Sequence, residues 1–391
     1  RMNARMLRIF SLTILLVSTS EALILHWAML AVLGVGLDFA SGLLTTVVLG
    51  VVNVLALPAA RRRIHDKGLG LIFSRVWILG SASLLLTGMF LTAVLMLVNV
   101  FAWALGFESD AQAAFIGFGG AAVALGLGSG LWGATVGNHR VRVDLIPLQM
   151  KNIPSDHPGL EVVHITDLHI GPLMQPDRLE RYIDRINGLE ADLIVITGDL
   201  FDFDPRYVED GCRALSKLAA KNGVYAVLGN HDHYTGTEEV AAGLSQHTSI
   251  RLLRDEWEHI DVDGMRFVIA GLEDPLEGWM DKHTRSPVLE RLAAEIPDHQ
   301  PCLLLAHRPS FFHHAEELGF PLVLSGHTHG GQVALPFATH HNISRMISDF
   351  TRGLYRRGDT TMYVSRGLGM AGLPLRLNCP REIAMIKLSA V

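Results

Sequence analysis

The stretch VVHITDLHIG, residues 162–171, joins a run of β-branched residues to an abrupt polar end. Val- and Ile-rich runs of this length are typical of strands. Asp167 directly follows the run, and His169 lies two residues later. A single Asp-x-His pair carries little weight, because a lone histidine near a strand end is usually structural. Its meaning depends on which residues end the other strands of the chain.

Four further apolar runs end in the same kind of side chain. They are LIVITGDLFD (193–202) with Asp199, VYAVLGNHDH (224–233) with Asn230 and His231, CLLLAHRP (302–309) with His307, and LVLSGHTHGG (322–331) with His327 and His329. Side chains carried at strand ends in an α/β sheet converge in one crevice. The sequence therefore predicts that five strand ends form one wall of a metal site.

The donor set consists of Asp, His and Asn, without thiolates. Mixed carboxylate and imidazole ligands favour Mn, Fe or Zn over a purely oxygen-ligated Ca²⁺ site. One ion cannot use so many donors, whereas two ions about 3.5–4 Å apart that share a carboxylate can. Gly198, Gly229 and Gly326 precede the donors and allow the tight turns and close approach of such a site.

Composition divides the chain of 391 residues near Asn138. Residues 1–138 hold 8 Lys+Arg and 5 Asp+Glu, and the remainder, with 25 basic and 34 acidic residues, holds 17 of the 19 histidines. An acidic domain is a poor binder of nucleic-acid backbone, so no nucleic acid is expected as a partner. The three cysteines lack C-x-x-C spacing, which favours a reducing compartment over a disulfide framework.

Four apolar stretches precede Asn138, at about 8–34, 40–60, 71–105 and 112–136. Each exceeds the roughly 20 residues that a helix needs to cross the hydrocarbon layer. A signal peptide is the alternative interpretation of the first stretch, which is too long for an apolar signal core. Glu21 and His26 lie in this first span, where ionisable groups are often functional. The structural alternatives are a hydrogen-bonded pair in the bundle interior, or a position close to the interface if the span starts late. The run GFGGAAVALGLGSG indicates close helix packing.

The charges of the short loops alternate along the chain. Basic residues occur at the N-terminus (Arg1, Arg5, Arg8), in RRRIHDKG (61–68) and after the fourth span (Arg140, Arg142). The first loop carries Asp38, and the third loop carries Glu108 and Asp110. This pattern predicts four spans with both ends in the cytoplasm. The large C-terminal domain then also faces the cytoplasm.

After residue 145, short apolar runs alternate with amphipathic segments, as in an α/β domain. Helices are expected at 177–189 and at 211–223, the second ending at a glycine cap, and Asp263-Gly264 marks a hairpin. The expected strands are 161–166, 192–197, 223–228, 266–270, 302–306, 321–325 and 361–365. The predicted organisation is a transmembrane domain (1–138), a linker (139–159) and a catalytic domain (160–391).

The motifs DLH, GDLFD, GNHD, AHRP and SGHTHGG occur here in the order found in calcineurin-like metallophosphoesterases. Residues 160–390 resemble this family. The C-terminal segments GLY, YVSRGLG and PLRLNCPREI resemble its bacterial membrane-linked branch. Together with the loop charges, this resemblance implies an integral protein of the bacterial inner membrane with a cytoplasmic catalytic domain. The resemblance implies a four-layer αββα sandwich and a pair of divalent ions (Mn, Fe or Zn). It implies one ion held by Asp167, His169, Asp199 and His329, and a second held by Asp199, Asn230, His307 and His327.

The resemblance also implies roles beside the ligands. His231 lies next to the substrate as proton donor or transition-state stabiliser, unless it only makes a structural hydrogen bond. Asp232 is expected to orient a histidine. Asp202 does likewise or caps the next helix. His233, His340 and His341 either line the pocket or are solvated loop histidines.

The implied reaction is hydrolysis of a phosphodiester or pyrophosphate bond by a water activated between two ions. With four spans and membrane lipids as partners, a lipid-linked phosphoester is the leading substrate class, and UDP-diacylglucosamine pyrophosphate hydrolysis is one concrete candidate. The segment 333–358 is either a lipid- and phosphate-facing flap or a surface loop. The alternatives are a tethered phosphodiesterase for a soluble substrate such as a cyclic nucleotide, and a membrane sensor or scaffold with structural metals.

Overall fold

The computed structural model describes residues 4–62, 69–106, 110–278, 281–372 and 374–391. It comprises two compact units, one of residues 1–138 with 373–377 and the other of residues 139–372 with 378–391. Most of the loop 61–68 and Glu108, on which the predicted topology partly depends, lie outside the described residues. Residues 373–377 are grouped with the helical unit although the sequence places them in the catalytic domain.

The four predicted apolar stretches are confirmed as helices. They are α1 (Ala4–Leu33), α2 (Phe39–Arg62), α3 (Leu69–Leu105) and α4 (Ala111–Trp132). In the described residues each of these helices is long and apolar enough to cross a membrane, judged by length and composition. Small residues bring them close together: a Cβ at Gly126 on α4 would lie 2.4 Å from Thr87 Cα on α3.

Glu21 and His26 on α1 have separate hydrogen-bond partners. Asn53 Nδ2 donates to Glu21 Oε2 at 2.8 Å. His26 Nδ1 accepts from the backbone N–H of Leu37 at 2.9 Å. Each residue thus has a structural hydrogen bond within the helical unit, but the partners are Asn53 and Leu37, so the expectation that Glu21 and His26 pair with each other is wrong.

The catalytic unit contains two six-stranded sheets. The first sheet has the order β1-β14-β2-β3-β4-β5, and the second has the order β12-β13-β9-β8-β7-β6. The first sheet is formed by β1 (Val141–Gln149), β2 (Leu160–Ile165), β3 (Leu193–Thr197), β4 (Val224–Val227), β5 (Arg251–Leu252) and β14 (Arg381–Ser389). The second is formed by β6 (Glu256–Val262), β7 (Met265–Leu272), β8 (Cys302–Ala306), β9 (Leu322–Ser325), β12 (Gly353–Arg357) and β13 (Thr360–Val364). A separate two-stranded hairpin consists of β10 (Ala334–Leu335) and β11 (Ala338–Asn342).

Helices cover the outer face of each sheet and complete the αββα sandwich. The unit contains α5 (Pro176–Asn187), α6 (Val208–Leu215), α7 (Asn230–Thr235), α8 (Thr237–His247), α9 (Pro287–Glu295) and α10 (Phe312–Glu317). Adjacent strand residues enter different cores: Val163 packs with α5, α6 and α8, whereas Val162 packs between the two sheets. On the second sheet Leu303 faces the first sheet and Leu304 packs with α9 and α10. Both strand faces are apolar because both are covered.

The linker prediction is wrong for residues 141–149. These residues form β1, which pairs in parallel with β14 along its whole length. Arg366 donates to Asp144 on β1 and to Glu382 on β14, with Nε 2.6 Å from Glu382 Oε2. The alternating pattern of VRVDLIPLQ suits an edge strand, and the ion pairs fix it to the sheet.

Two local predictions have different outcomes. The hairpin is confirmed: Val262 of β6 pairs with Met265 of β7, and Asp263 and Gly264 have φ of 50° and 85°, as a type I′ turn requires. The helix over 211–223 is wrong beyond Leu215. The backbone amides of Lys221 and Asn222 instead donate to Ala191 and Asp192, which ties the segment to the start of β3.

Candidate dinuclear metal site

Five strand ends meet at one edge of the two sheets. Strands β2, β3 and β4 are parallel neighbours in the first sheet, and β8 and β9 are parallel neighbours in the second. Parallel neighbours present their carboxyl ends at the same edge. The residues that follow these ends are Asp167 and His169, Asp199, Asn230 and His231, His307, and His327 and His329.

Asp167, His169, Asp199 and His329 form a buried cluster. Each offers one donor atom, and these four atoms lie within 4.8 Å of one another. His169 Nε2 is 2.9 Å from His329 Nε2 and 3.5 Å from Asp199 Oδ2. His329 Nε2 is 3.3 Å from Asp167 Oδ1. Two imidazole nitrogens and two carboxylates thus face one small volume.

A second cluster shares Asp199 with the first. The donor atoms of Asp199, His307 and His327 also lie within 4.8 Å of one another. His307 Nε2 is 3.3 Å from Asp199 Oδ2 and 3.2 Å from His327 Nδ1. Asn230 begins α7 beside this cluster, and the next backbone N–H, of His231, donates to Asp199 Oδ1 at 2.8 Å.

The backbone at the strand ends has an unusual conformation. Asp167, His169, Asp199, His327 and His329 all have positive φ, between 46° and 68°. The left-handed region costs a non-glycine residue about 1–2 kcal/mol. Such strain accumulates at functional sites, where the surrounding structure holds it in place. Five of the candidate donor residues therefore have a strained backbone, and positive φ also occurs at non-glycine residues outside the site, such as Asn152 and Glu190.

Two glycines permit the close approach of the strand ends. A Cβ at Gly326 would lie 2.3 Å from Asp167 Oδ2, and a Cβ at Gly229 would lie 2.3 Å from Asp199 Oδ1. Either contact is far below van der Waals distance. These glycines let the backbone pass directly against the carboxylates, as the sequence predicts for them.

The donor atoms fit divalent cations. His307 Nδ1 donates to the carbonyl oxygen of Thr197 at 2.7 Å, so Nε2 is the nitrogen that faces Asp199. Such a bond on the distal nitrogen is typical of metal-ligating histidines. In the part of the chain that the structure describes, Asn230 Oδ1 and His327 Nε2 are buried without a hydrogen-bond partner. Buried polar atoms without partners are costly, and a bound cation would satisfy them.

The electrostatics of the cluster also favour a cation. Burial raises the pKa of Asp167. Burial opposes ionisation of Asp199 too, but the neighbouring His307, His231 and His169 outweigh burial and hold its pKa well below the usual range. Asp199 likewise outweighs burial at His307 and raises the pKa of this imidazole to about 10. A cation between Asp199 and His307 would take the place of that proton.

His231 lies at the more exposed side of the site. Its Nδ1 donates to the backbone carbonyl of Asp202 at 3.0 Å, and Asp202 Oδ1 lies 3.3 Å from the same nitrogen. Asp202 Oδ1 is also 3.4 Å from His169 Nδ1. Asp202 therefore contacts two histidines, as one alternative for it predicts. The other alternative is wrong, because Asp204 caps the next helical turn by accepting from Arg206 N.

The expectation that Asp232 orients a histidine is wrong. Its carboxylate accepts from the backbone amides of Phe201 and Gly229, each at 2.9 Å. Burial, followed by repulsion from Asp199, raises its pKa to about 6. Asp232 thus joins the loop after β3 to the loop after β4. It holds the backbone of the two loops that carry Asp199 and Asn230.

The remaining predicted histidines, His233, His340 and His341, are not part of either donor cluster. His233 Nε2 donates to the carbonyl of Asp274 at 2.8 Å, and its Nδ1 lies 2.7 Å from Thr237 Oγ1. His340 and His341 lie on β11 and are exposed. The loop interpretation applies to His340 and His341, whereas His233 is a structural histidine.

Several residues at the site were not predicted. Phe203 lies 4.6 Å from the His231 ring and stacks on Tyr234 at 5.7 Å between ring centroids. Arg308, directly after His307, forms a fully buried ion pair with Asp274. The position of Arg308 in AHRP was visible in the sequence. Its partner lies 34 residues away, so no local pattern connects the two.

Comparisons with known proteins agree with this arrangement. The family model of calcineurin-like phosphoesterases matches residues 160–331. An uncharacterized metallophosphoesterase of Campylobacter jejuni is 33% identical over 247 residues, which cover 63% of each chain. The chain thus spans less than two thirds of the length of this relative and of the Helicobacter pylori proteins at 64%.

Two further relatives differ in how much of them is matched. The Bos taurus transmembrane protein with metallophosphoesterase domain is 30% identical over 63% of this chain and 57% of its own length. The uncharacterized metallophosphoesterase YkuE of Bacillus subtilis is 31% identical over 255 residues, 64% of this chain and 87% of its own. By this last similarity, and by the motifs that build the site, the chain belongs to the calcineurin-like metallophosphoesterase family.

Proposed function

We propose that the protein is a membrane-anchored, dinuclear-metal phosphoester hydrolase that cleaves a phosphodiester or pyrophosphate bond in a membrane-associated substrate. The observation that carries the proposal is the convergence of six donor side chains on one buried site, with the buried Asn230 Oδ1 beginning α7 beside them. In the proposal one ion is held by Asp167, His169, Asp199 and His329, and the other by Asp199, Asn230, His307 and His327. Asp199 is their common ligand.

When bound, the two ions supply an activated water and neutralise charge on the phosphoryl oxygens. The protein contributes geometry. Thr197 fixes the ring of His307, and Asp202 lies against both His169 and His231. With Nδ1 bonded to a carbonyl, His231 keeps Nε2 for proton transfer to the leaving oxygen.

The membrane part of the proposal rests on the four apolar helices. An enzyme held in the bilayer meets lipid-linked substrates at high local concentration, which favours a lipid-linked phosphodiester or pyrophosphate as the substrate class. UDP-diacylglucosamine pyrophosphate is one candidate to assay. We place the protein in the bacterial inner membrane with the catalytic unit in the cytoplasm. The orientation is tested by fusing a reporter enzyme that works only in the periplasm to the C-terminus. Activity of this reporter would contradict a cytoplasmic catalytic unit.

The reaction class is tested with full-length protein and bis-p-nitrophenyl phosphate. We expect hydrolysis that requires Mn²⁺ or a similar ion, is abolished by EDTA and is lost in Asp199→Ala. The matched control is Asp204→Ala, which changes a half-buried carboxylate that caps a helical turn and pairs with Arg206. If Asp199→Ala and Asp204→Ala behave alike, the metals are structural and the protein is a sensor or scaffold.

The substrate class is tested with two kinds of phosphodiester. Full-length protein is given lipid-linked phosphodiesters and pyrophosphates in mixed micelles, and soluble cyclic nucleotides. The proposal expects a much higher kcat/KM for the lipid-linked substrates. A preference for cyclic nucleotides would identify a tethered soluble-substrate phosphodiesterase instead.

A further inference from the structure

A short segment next to the candidate site exposes an unusual amount of apolar surface. Residues 334–346, here called the apolar hairpin, comprise β10, β11 and the helical turn Ile343–Met346. Their most exposed large side chains are Leu335 (60%), Phe337 (102%), Ile343 (71%) and Met346 (65%). In the described part of the catalytic unit the other such side chains are scattered: Leu145, Tyr234, Leu276, Leu354 and Val391. A concentrated exposed patch marks an interaction surface.

Unpaired positive charge flanks the apolar hairpin. Arg345 lies within it, and Arg352 and Arg356 follow it. Among the described residues none of these three arginines forms an ion pair with a carboxylate, whereas the neighbouring Arg357 lies 3.7 Å from Glu316. Arg345 and Arg356 are exposed, whereas Arg352 is half-buried. Net positive charge beside exposed apolar side chains complements an anionic lipid surface.

The base of the apolar hairpin is bonded to the loop that carries two candidate ligands. Ser344 Oγ donates to the carbonyl of Thr328 at 2.7 Å, and Thr328 Oγ1 donates to the carbonyl of Thr351 at 2.7 Å. Thr328 lies between His327 and His329. Whatever binds the hairpin is therefore held close to the site.

From these observations we infer that the apolar hairpin docks onto an anionic phospholipid surface, with Leu335, Phe337, Ile343 and Met346 entering the interface and the exposed Arg345 and Arg356 binding headgroup phosphates. A surface helix or hairpin of this composition buries its apolar side chains at the headgroup boundary. Lipid docking beside His327 and His329 gives a lipid-linked phosphoester a direct route to the site. The inference concerns lipid contact and holds whether or not the proposed hydrolysis is correct.

The test uses full-length protein in nanodiscs of phosphatidylcholine and phosphatidylglycerol. The native cysteines Cys212, Cys302 and Cys379 are buried, so an introduced exposed cysteine takes a bimane label selectively. Met346→Cys places the label on the hairpin. Ser216→Cys is the matched control, since Ser216 is exposed and precedes β4 at the opposite sheet edge. Quenching is measured with nitroxide-labelled lipid and with aqueous iodide.

We expect nitroxide lipid to quench the Met346→Cys label at least about threefold more strongly than the Ser216→Cys label, as for a side chain in the interface. Adding Phe337→Ser, or omitting phosphatidylglycerol, should lower that quenching. If both labels are equally open to iodide and equally insensitive to nitroxide lipid, the inference is wrong. Lipid quenching that is unchanged in nanodiscs of phosphatidylcholine alone would also overturn it, because the surface would then not recognise anionic headgroups.

Discussion

The two six-stranded sheets contribute different chemistry to one site. The first sheet supplies all the oxygen donors, Asp167, Asp199 and Asn230, and a single imidazole, His169. The second sheet supplies only imidazoles: His307, His327 and His329. Negative charge is thus concentrated at the edge of the first sheet, and neutral ligands are added from the second.

This difference indicates how the site binds two cations. Buried carboxylates are costly without counter-charge, and Asp167 and Asp199 lie on adjacent strands at 0–1% exposure. We infer that the first sheet sets the charge that attracts both ions, whereas the second sheet sets the geometry of each ion separately. Substitutions on the two sheets should therefore have different consequences.

The largest effect is expected for Asp199→Ala on the first sheet. Because Asp199 belongs to both clusters, both ions should be lost, and hydrolysis of bis-p-nitrophenyl phosphate should fall by at least about 10³-fold. Bound metal is counted by mass spectrometry on the purified protein. Retention of two ions in Asp199→Ala would contradict the inference that the first sheet attracts both ions.

A smaller loss is expected for His327→Ala on the second sheet. His327 belongs to one cluster only, so one ion should remain and hydrolysis should fall by about 10²–10³-fold. Metal counting and activity are measured side by side with Asp199→Ala. Equal loss of both ions in the two variants would show that the sheets do not differ.

His231→Gln should preserve both ions and still reduce turnover. The loss of a proton donor should lower the hydrolysis rate by about 10²-fold for a substrate with a poor leaving group. The rate should fall less for a p-nitrophenyl ester, because p-nitrophenolate leaves without protonation. Rates on aryl and alkyl phosphodiesters are compared. A uniform loss on both substrates would assign His231 a role other than proton donation.

Asp202→Asn tests whether the carboxylate beside His169 and His231 supports metal binding. Asp202 lies beside His169 and His231, and loss of such a supporting carboxylate costs about 10- to 100-fold in metal affinity or activity. The matched control is Asp204→Asn, which changes the neighbouring helix cap. Manganese titration of both variants checks the expectation, and identical affinities would contradict it.

The smallest effect concerns stability. His164 on β2 is buried, which lowers its pKa to about 3, and its Nε2 bonds Thr197 Oγ1 at 2.8 Å. Since the unfolded imidazole binds a proton near pH 6.5 and the folded one does not, stability should fall as the pH decreases from about 6.5 towards 3. Between pH 6.5 and 5 this amounts to about 1.5 kcal/mol. His164→Gln should remove that part of the pH dependence, measured by thermal unfolding in EDTA. An unchanged pH dependence would contradict the buried neutral state of His164.

The sequence predicts the strands and the donor residues because both depend on local patterns. An apolar run followed by Asp or His is visible within about ten residues, and parallel strands then bring such ends to one edge. The Asp263-Gly264 turn is visible for the same reason. These features hold without knowledge of distant contacts.

The features that the sequence could not predict depend on distant partners. Strand β1 requires β14, more than 200 residues later, and its ion pair through Arg366. Asp232 accepts backbone amides that only the folded loops bring near it. The buried pair of Arg308 and Asp274 and the exposure of Phe337 likewise follow from tertiary structure.

The central claim is that Asp199 is shared by two neighbouring cations. Electron paramagnetic resonance of manganese-loaded full-length protein tests it directly, since two Mn²⁺ ions about 3.5–4 Å apart are exchange-coupled. The account predicts two ions per chain and a coupled signal that disappears in Asp199→Ala. A signal from isolated Mn²⁺ in the wild type, or no retained ion at all, would contradict it.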